Sequence, residues 1–106
     1  MDNIKVLFGK RVKELRKKLG YTQAQLAEIV NVDDKHISCI EGGKNFPSPD
    51  LLDRLANSLN VHVKALFEFD YLKEPENLKI EIAKIINQLT SEQLKLVYKY
   101  VKTFIL

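Results

Sequence analysis

Asp34, Lys35, Ser38 and Cys39 are the residues of this 106-residue chain whose types and spacing can do chemistry together. On a helix they lie on the side left over once Ile37 and Ile40, three apart, face inward. They offer a carboxylate that only accepts hydrogen bonds, an ammonium that only donates, a hydroxyl that does both, and a small soft thiol. That is a set for recognition. No nucleophile–base pair, phosphate-cradling Gly-rich loop or metal cluster accompanies it. Glu14, Glu28 and Asp53 read as helix-surface carboxylates without partners. Cys39 is the single cysteine, which excludes an intrachain disulfide and a Cys-cluster zinc site. His36 and His62 have no ligand spacing around them and read as surface or boundary residues. The expectation is no metal, no cofactor and no enzyme.

Two short helices must position the four. The stretch TQAQLAEIVNVDDKHISCIE spans residues 22 to 41. Thr22 caps the first helix, to about residue 30, and Gln25 three positions on completes a capping box. Leu26, Ile29 and Val30 share a face, and Ala24 and Ala27 allow another helix close. Asp33 is an apt N-cap for the second helix, about 33 to 41, which Gly42-Gly43 stops. Helices of about eight residues do not stand alone in water, so the rest of the chain has to supply a scaffold.

That scaffold is legible on both sides. A first helix runs from about residue 3 to 19, with Asp2 as its cap and Phe8, Val12, Leu15 and Leu19 in one apolar stripe. Lys10, Lys13 and Lys17 occupy other faces. Gly9 inside it costs about 1 kcal/mol relative to Ala, and Gly20 ends it. Tyr21 packs with one edge wet. Ser48 caps a fourth helix with Pro49 at its first position; Leu51, Leu52, Leu55 and Leu59 form its buried face, and Asn60 caps its end. A short fifth helix, about 63 to 68, buries Leu66 and Phe67. Residues 68 to 75 read as a linker. Pro75 then starts a helix to residue 89, with Leu78, Ile82, Ile85, Ile86 and Leu89 on one side. Thr90 and Gln93 form a second capping box, opening a last helix from 91 to about 104 that bears Leu94, Val97, Tyr98, Val101, Phe104 and Ile105. These two amphipathic helices form a hairpin whose apolar faces must pack on the first domain, on each other or on a second copy.

Composition agrees. Hydrophobic residues make up 45% of the chain and charged residues 29%, enough for a core and a soluble surface. The net charge of +3 is uneven: +3 over residues 1 to 45, −2 over 46 to 71 and +2 over 72 to 106. A modest basic excess fits a nucleic-acid partner without requiring one. No apolar run reaches membrane length and no signal peptide is visible, so a cytoplasmic protein without a membrane partner is expected.

The stretch at 22 to 41 resembles the helix-turn-helix of Cro/cI-type (XRE family) transcriptional regulators. The resemblance rests on T-Q-x-x-L-A at 22 to 27, Val32 at the turn, I-S-x-I-E at 37 to 41 and G-x-x-x-P at 43 to 47, with Leu15-Arg16 upstream and L-A-x-x-L at 55 to 59. It covers roughly residues 7 to 67. It implies an all-α fold: a five-helix lambda-repressor-like DNA-binding domain at 1–69, then the two-helix hairpin at 75–106. It also implies close helix approach at Gly9, and it marks His62 as a departure from the family's usual Ser or Thr cap.

The resemblance assigns roles as well. The second of the paired helices would read base edges in the major groove of double-stranded DNA. Lys35 would donate to guanine, Ser38 would donate or accept, and Cys39 would touch a thymine methyl or act as filler. Asp34 would accept from a base amino group or simply favour the helix dipole. Thr22, Gln23, Lys44 and Asn45 would hold phosphates, with Lys10 and Lys17 adding long-range attraction. Arg16 and Glu41 would pair to lock the first helix onto the reading helix. The implied protein is a transcriptional regulator, a repressor on a palindromic operator, with the C-terminal hairpin as the homodimer contact through Leu94, Val97, Tyr98, Val101 and Phe104. The rival is an antitoxin or interaction module whose hairpin binds a toxin or an anti-repressor.

Overall fold

The computed structural model describes residues 3–72 and 75–105, and among these every regular element is helical. The chain forms two compact units, Met1–Leu72 and Lys73–Leu106. The first contains α1 (Ile4–Lys18), α2 (Gln23–Val30), α3 (Asp34–Glu41) and α4 (Pro49–Ser58), then 3₁₀ turns at Val63–Phe67 and Asp70–Leu72. The second contains α5 (Pro75–Ile86) and α6 (Ser91–Lys102).

Local chemistry explains most helix ends in the first unit. Asn3 caps α1, its Oδ1 accepting from the Val6 amide at 3.1 Å; Asp2, the cap expected from sequence, lies outside the described residues. Thr22 and Gln25 form the full reciprocal capping box on α2. Asn31 then takes the left-handed conformation (φ 61°), which Asn tolerates better than most residues, and the chain turns within three residues into α3. Asp33 sits at the N-cap of α3, but its side chain makes no capping bond. The His36 amide it would serve donates instead to the Asp33 carbonyl at 3.0 Å. Ser48 caps α4 with Pro49 as first residue, as expected. Arg54 of α4 donates from Nε to the Val30 carbonyl at 3.0 Å and so satisfies the C-terminal end of α2.

The core of this unit is shared by all its helices. Phe8 and Val12 of α1, Leu26 and Val30 of α2, Ile37 and Ile40 of α3, Leu51 and Leu55 of α4, and Leu66 all lie out of solvent. Gly9 lets α1 and α3 meet: a Cβ there would stand 2.7 Å from the Glu41 carbonyl oxygen and closer still to that of Ile40. Two residues placed inward by sequence spacing, and one read as small enough for another helix to approach, are not inward. Leu19 lies past the end of α1 and Ile29 is half exposed; Ala24 is exposed as well. In α2 the buried set is Leu26, Ala27 and Val30, because the small Ala27 is the residue that faces the neighbouring helices. The fifth helix is a 3₁₀ turn, begun without a side-chain cap from His62.

Part of the stretch read as a linker is structured. Phe69 packs against the core. The Tyr71 hydroxyl donates to Glu14 at 2.6 Å, and the Arg11 guanidinium lies 5.9 Å from the centre of the Tyr71 ring. Arg11 also donates from Nε to the Ala65 carbonyl at 2.9 Å and pairs with Glu14. One arginine thus fastens the end of the unit to α1.

In the second unit Pro75 opens α5, and Thr90 with Gln93 opens α6 through the expected capping box. The α5 helix ends at Ile86; the next residues tighten into i→i−3 bonds, Gln88 to Ile85 and Leu89 to Ile86. Neither helix carries a buried residue. Leu78, Leu89 and Val97 are partly covered, while Ile82, Ile85, Tyr98, Val101 and Phe104 are each at least half exposed.

Candidate nucleic-acid interface

The α3 helix presents two faces of opposite character. Ile37, Ile40 and Glu41 are buried, whereas Asp34, Lys35 and Ser38 are exposed and Cys39 is half covered. The four residues singled out by type and spacing therefore share the outward side of one rigid helix. Beside them lies a shallow concavity of about 250 Å³ lined by Asp33, Lys35, His36, Cys39 and Asn45. Sequence reasoning left Asp33 and His36 out of this surface. Their one signal was position: Asp33 precedes the helix, and His36 is three residues from Cys39.

A buried ion pair fixes the tilt of α3. Arg16 of α1 donates from Nε to Glu41 Oε2 at 2.7 Å and from Nη2 to Glu41 Oε1 at 2.9 Å. Its remaining Nη1 donates to the Tyr21 carbonyl at 2.7 Å. The arginine side chain is 8% exposed and the glutamate side chain 2%. Such a two-pronged pair is directional as well as strong. The Glu41 hydrogen bonds raise the Arg16 pKa above its ordinary value, and burial only partly offsets them.

The flanking residues expected to meet phosphate are brought to the same region of the fold. Gln23 is the first residue of α2, next to Thr22, and the first two amides of that helix have no acceptor within it. Lys44 and Asn45 follow the C-terminal end of α3, both exposed, and both amides donate to the Cys39 carbonyl, at 2.9 and 3.3 Å. Gly43, at φ 78°, makes that wrap possible; a Cβ there would strike Val6. Phe46 and Pro47 secure the loop, with the Phe46 ring tilted against Phe8 at a centroid distance of 4.8 Å. One bond was not foreseen. Gln23 donates from Nε2 to Glu41 Oε1 at 3.0 Å, so the residue read as a phosphate contact is already part of the Arg16–Glu41 network.

Two short helices joined at a left-handed residue, the second outward-facing and locked from behind, define a helix-turn-helix protein. The sequence profile of the helix-turn-helix domain family matches residues 9–68, and the chain belongs to that family. It is 34% identical over 84 residues to the HTH-type transcriptional regulator ImmR of Bacillus subtilis, covering 79% of this chain and 65% of ImmR. It is also 34% identical over 82 residues to the competence pilus inhibition repressor of Acinetobacter baylyi, covering 70% of this chain and 74% of that protein. Among solved structures, the restriction-modification controller protein C.AhdI from Aeromonas hydrophila superposes with a TM-score of 0.57 at 32% identity, over 58% of this chain and 94% of that one. The all-α, repressor-like fold expected from the sequence is therefore the fold found.

Proposed function

We propose that this chain is a sequence-specific, double-stranded-DNA-binding transcriptional regulator, a repressor that binds a palindromic operator as a homodimer. The observation that carries the reading is α3 itself, with Lys35, Ser38, Asp34 and Cys39 outward at its start and middle and Glu41 clamped at its end. An α-helix fits the major groove, where each base pair presents a distinct set of donors and acceptors. Lys35 addresses guanine O6 and N7, Ser38 a donor or an acceptor, and Cys39 a thymine methyl. Asp34, which repels phosphate, accepts from an exocyclic amino group. Thr22, Gln23, Lys44 and Asn45 grip the backbone and set the register without reading sequence.

One such helix covers few base pairs. Two copies with reading helices about 34 Å apart match a two-fold symmetric site. The exposed faces of α5 and α6, with Leu94, Val97, Tyr98, Val101 and Phe104, are the surface we assign to that second copy. The names of the relatives, a regulator and a repressor, support the role. In this reading the protein works without catalysis or cofactor, in the cytoplasm. No helix among the described residues is long and apolar enough to cross a membrane, which is compatible with that location.

The test is selection of bound sequences from a random DNA library, at stated salt, with wild type and Lys35→Ala side by side. The expected result is a palindromic motif for wild type, with preference at one base position in each half relaxed by about 1–3 kcal/mol in the variant. Failure of the wild-type protein to enrich any sequence would refute autonomous DNA reading and leave the partner-binding module as the better account.

A further inference from the structure

The side-chain amide of Gln23 is held by a residue of a different helix. Its Nε2 donates to Glu41 Oε1, which also accepts from Arg16 Nη2, while Glu41 Oε2 takes Arg16 Nε. Three N–H groups converge on one carboxylate whose side chain is 2% exposed. A carboxylate in an ion pair only accepts, so the nitrogen end of the Gln23 amide, and not its oxygen end, must face it. The tether thereby decides which way round the amide sits. An untethered glutamine would meet a phosphate with either end, and the oxygen end is repelled. Nε2 keeps a second hydrogen for an outside acceptor.

We propose that Glu41 is a positioning residue for backbone binding: through Gln23 it presents the donor end of that amide to a DNA phosphate. The proposal rests on the reading of Gln23 as a phosphate contact. It makes the phosphate grip on α2 and the tilt of the reading helix one unit, because the residue that ends α3 orients both. Arg16 completes the set by neutralising the Glu41 charge, so a carboxylate can stand near the DNA backbone without repelling it.

A mutant cycle with two measurements tests this. Gln23→Met keeps the length of the side chain and removes the donor. The pair Arg16→Met with Glu41→Met removes the tether and leaves no unpaired buried charge, a replacement that buried ion pairs often tolerate. The first measurement, on the DNA-free protein, is nuclear magnetic relaxation of the Gln23 side-chain NH₂. The proposal requires an ordered amide in wild type and a mobile one in the paired variant, with backbone resonances still dispersed. The second is titration with a short duplex carrying the selected sequence, across a range of salt. In the wild-type background Gln23→Met weakens binding roughly three- to tenfold, the size of one net hydrogen bond. The salt slope stays put, because a neutral amide displaces no counterion; Lys44→Ala, by contrast, flattens the slope by about 0.9. In the paired background the same Gln23→Met substitution costs less than about twofold, within the scatter expected for uncoupled sites.

Equal losses in the two backgrounds, or a Gln23 amide as mobile in wild type as in the paired variant, would overturn the proposal. Unchanged DNA affinity on Gln23→Met in the otherwise wild-type background would do the same, leaving Gln23 as a partner of Glu41 alone. Should the paired variant not fold, Glu41→Asp takes its place in the cycle, since it keeps a charge for Arg16 but draws the carboxylate back from Gln23. Wild-type protein that binds no duplex at all fails at the first titration, before any variant is compared, and so separates loss of the DNA-binding reading from loss of the tether.

Discussion

The helices α2 and α6 begin alike and end up in opposite situations. Each is opened by a threonine and a glutamine three residues later, and in each both bonds of the capping box are made. Each carries an amphipathic face. Yet Leu26 and Val30 of α2 are out of solvent, whereas Leu94, Tyr98 and Val101 of α6 are 43%, 65% and 50% exposed. The difference is not in the helices but in their surroundings. The α2 helix packs against α3 and α4 within its own unit. Among the described residues the α6 helix has only α5 in its unit, and two helices do not enclose a core. Amphipathic spacing says that a face will be buried; it does not say by what. The first unit answers from its own chain, and in our reading the second answers with another copy.

The largest expected effect lies where the first unit has buried a charge on the strength of that enclosure. Glu41→Ala strands the Arg16 guanidinium, and we expect a loss of about 3–5 kcal/mol in urea unfolding. Replacing both partners with methionine should cost far less, because no charge is then left unpaired. A single-substitution loss below about 1 kcal/mol, the range of exposed pairs, would mean that the pair is wet and the contrast between the units is one of degree.

The second unit should respond in the opposite sense. Val101→Glu places a charge on a face that its own unit leaves half exposed, so the unfolding free energy of the first unit should move by no more than about 0.5 kcal/mol. Self-association should fall at least about tenfold, or 1.4 kcal/mol, in sedimentation equilibrium. A dimer of unchanged strength would sink the assignment of this face to a second copy. A protein that is monomeric from the start would point to a different partner for the same surface.

The same comparison explains what could be read from sequence. Caps are short-range, so Thr22, Ser48, Pro49 and Thr90 were legible where they stand. So was the outward set on α3, because Ile37 and Ile40 fix the other side. Which of several apolar residues goes inward depends on the neighbour, and there spacing misled. It grouped Ile29 with Leu26, but the helices around α2 take Ala27 and leave Ile29 half exposed. Leu19 continued the stripe of α1 on paper, but the helix ends at Lys18. Residues 69 to 72 fall in the stretch read as a linker, yet Phe69 packs on the core and Tyr71 is held by Arg11 and Glu14, more than fifty positions earlier. Pairing over that distance leaves no local mark. The Gln23–Glu41 bond was hidden for the same reason, although both of its members had been singled out separately.

Tyr71 gives the smallest effect and the sharpest sign. Its hydroxyl donates to Glu14, and that bond is the main cause holding the Glu14 carboxyl below the usual carboxylate range; burial opposes it and Arg11 adds to it. A carboxyl whose pKa is lower folded than unfolded contributes stability above its unfolded value and loses it as pH falls through the folded one. The window therefore opens below about pH 4.3, the ordinary glutamate value, and extends downward from there. Glu14 is 48% exposed, so solvent screening keeps the contribution below about 1 kcal/mol. Tyr71→Phe removes the hydroxyl but keeps the ring beneath Arg11. At neutral pH it should cost about 0.5 kcal/mol in chemical unfolding, and the gap between the two proteins should narrow as the pH drops through that window. A protonated Glu14 is a weaker acceptor, so the hydroxyl then has less to lose. A gap that stays constant down to acid pH would mean that the hydroxyl contributes by filling space, and the end of the first unit would be held by packing and Arg11 instead of by a charged hydrogen bond.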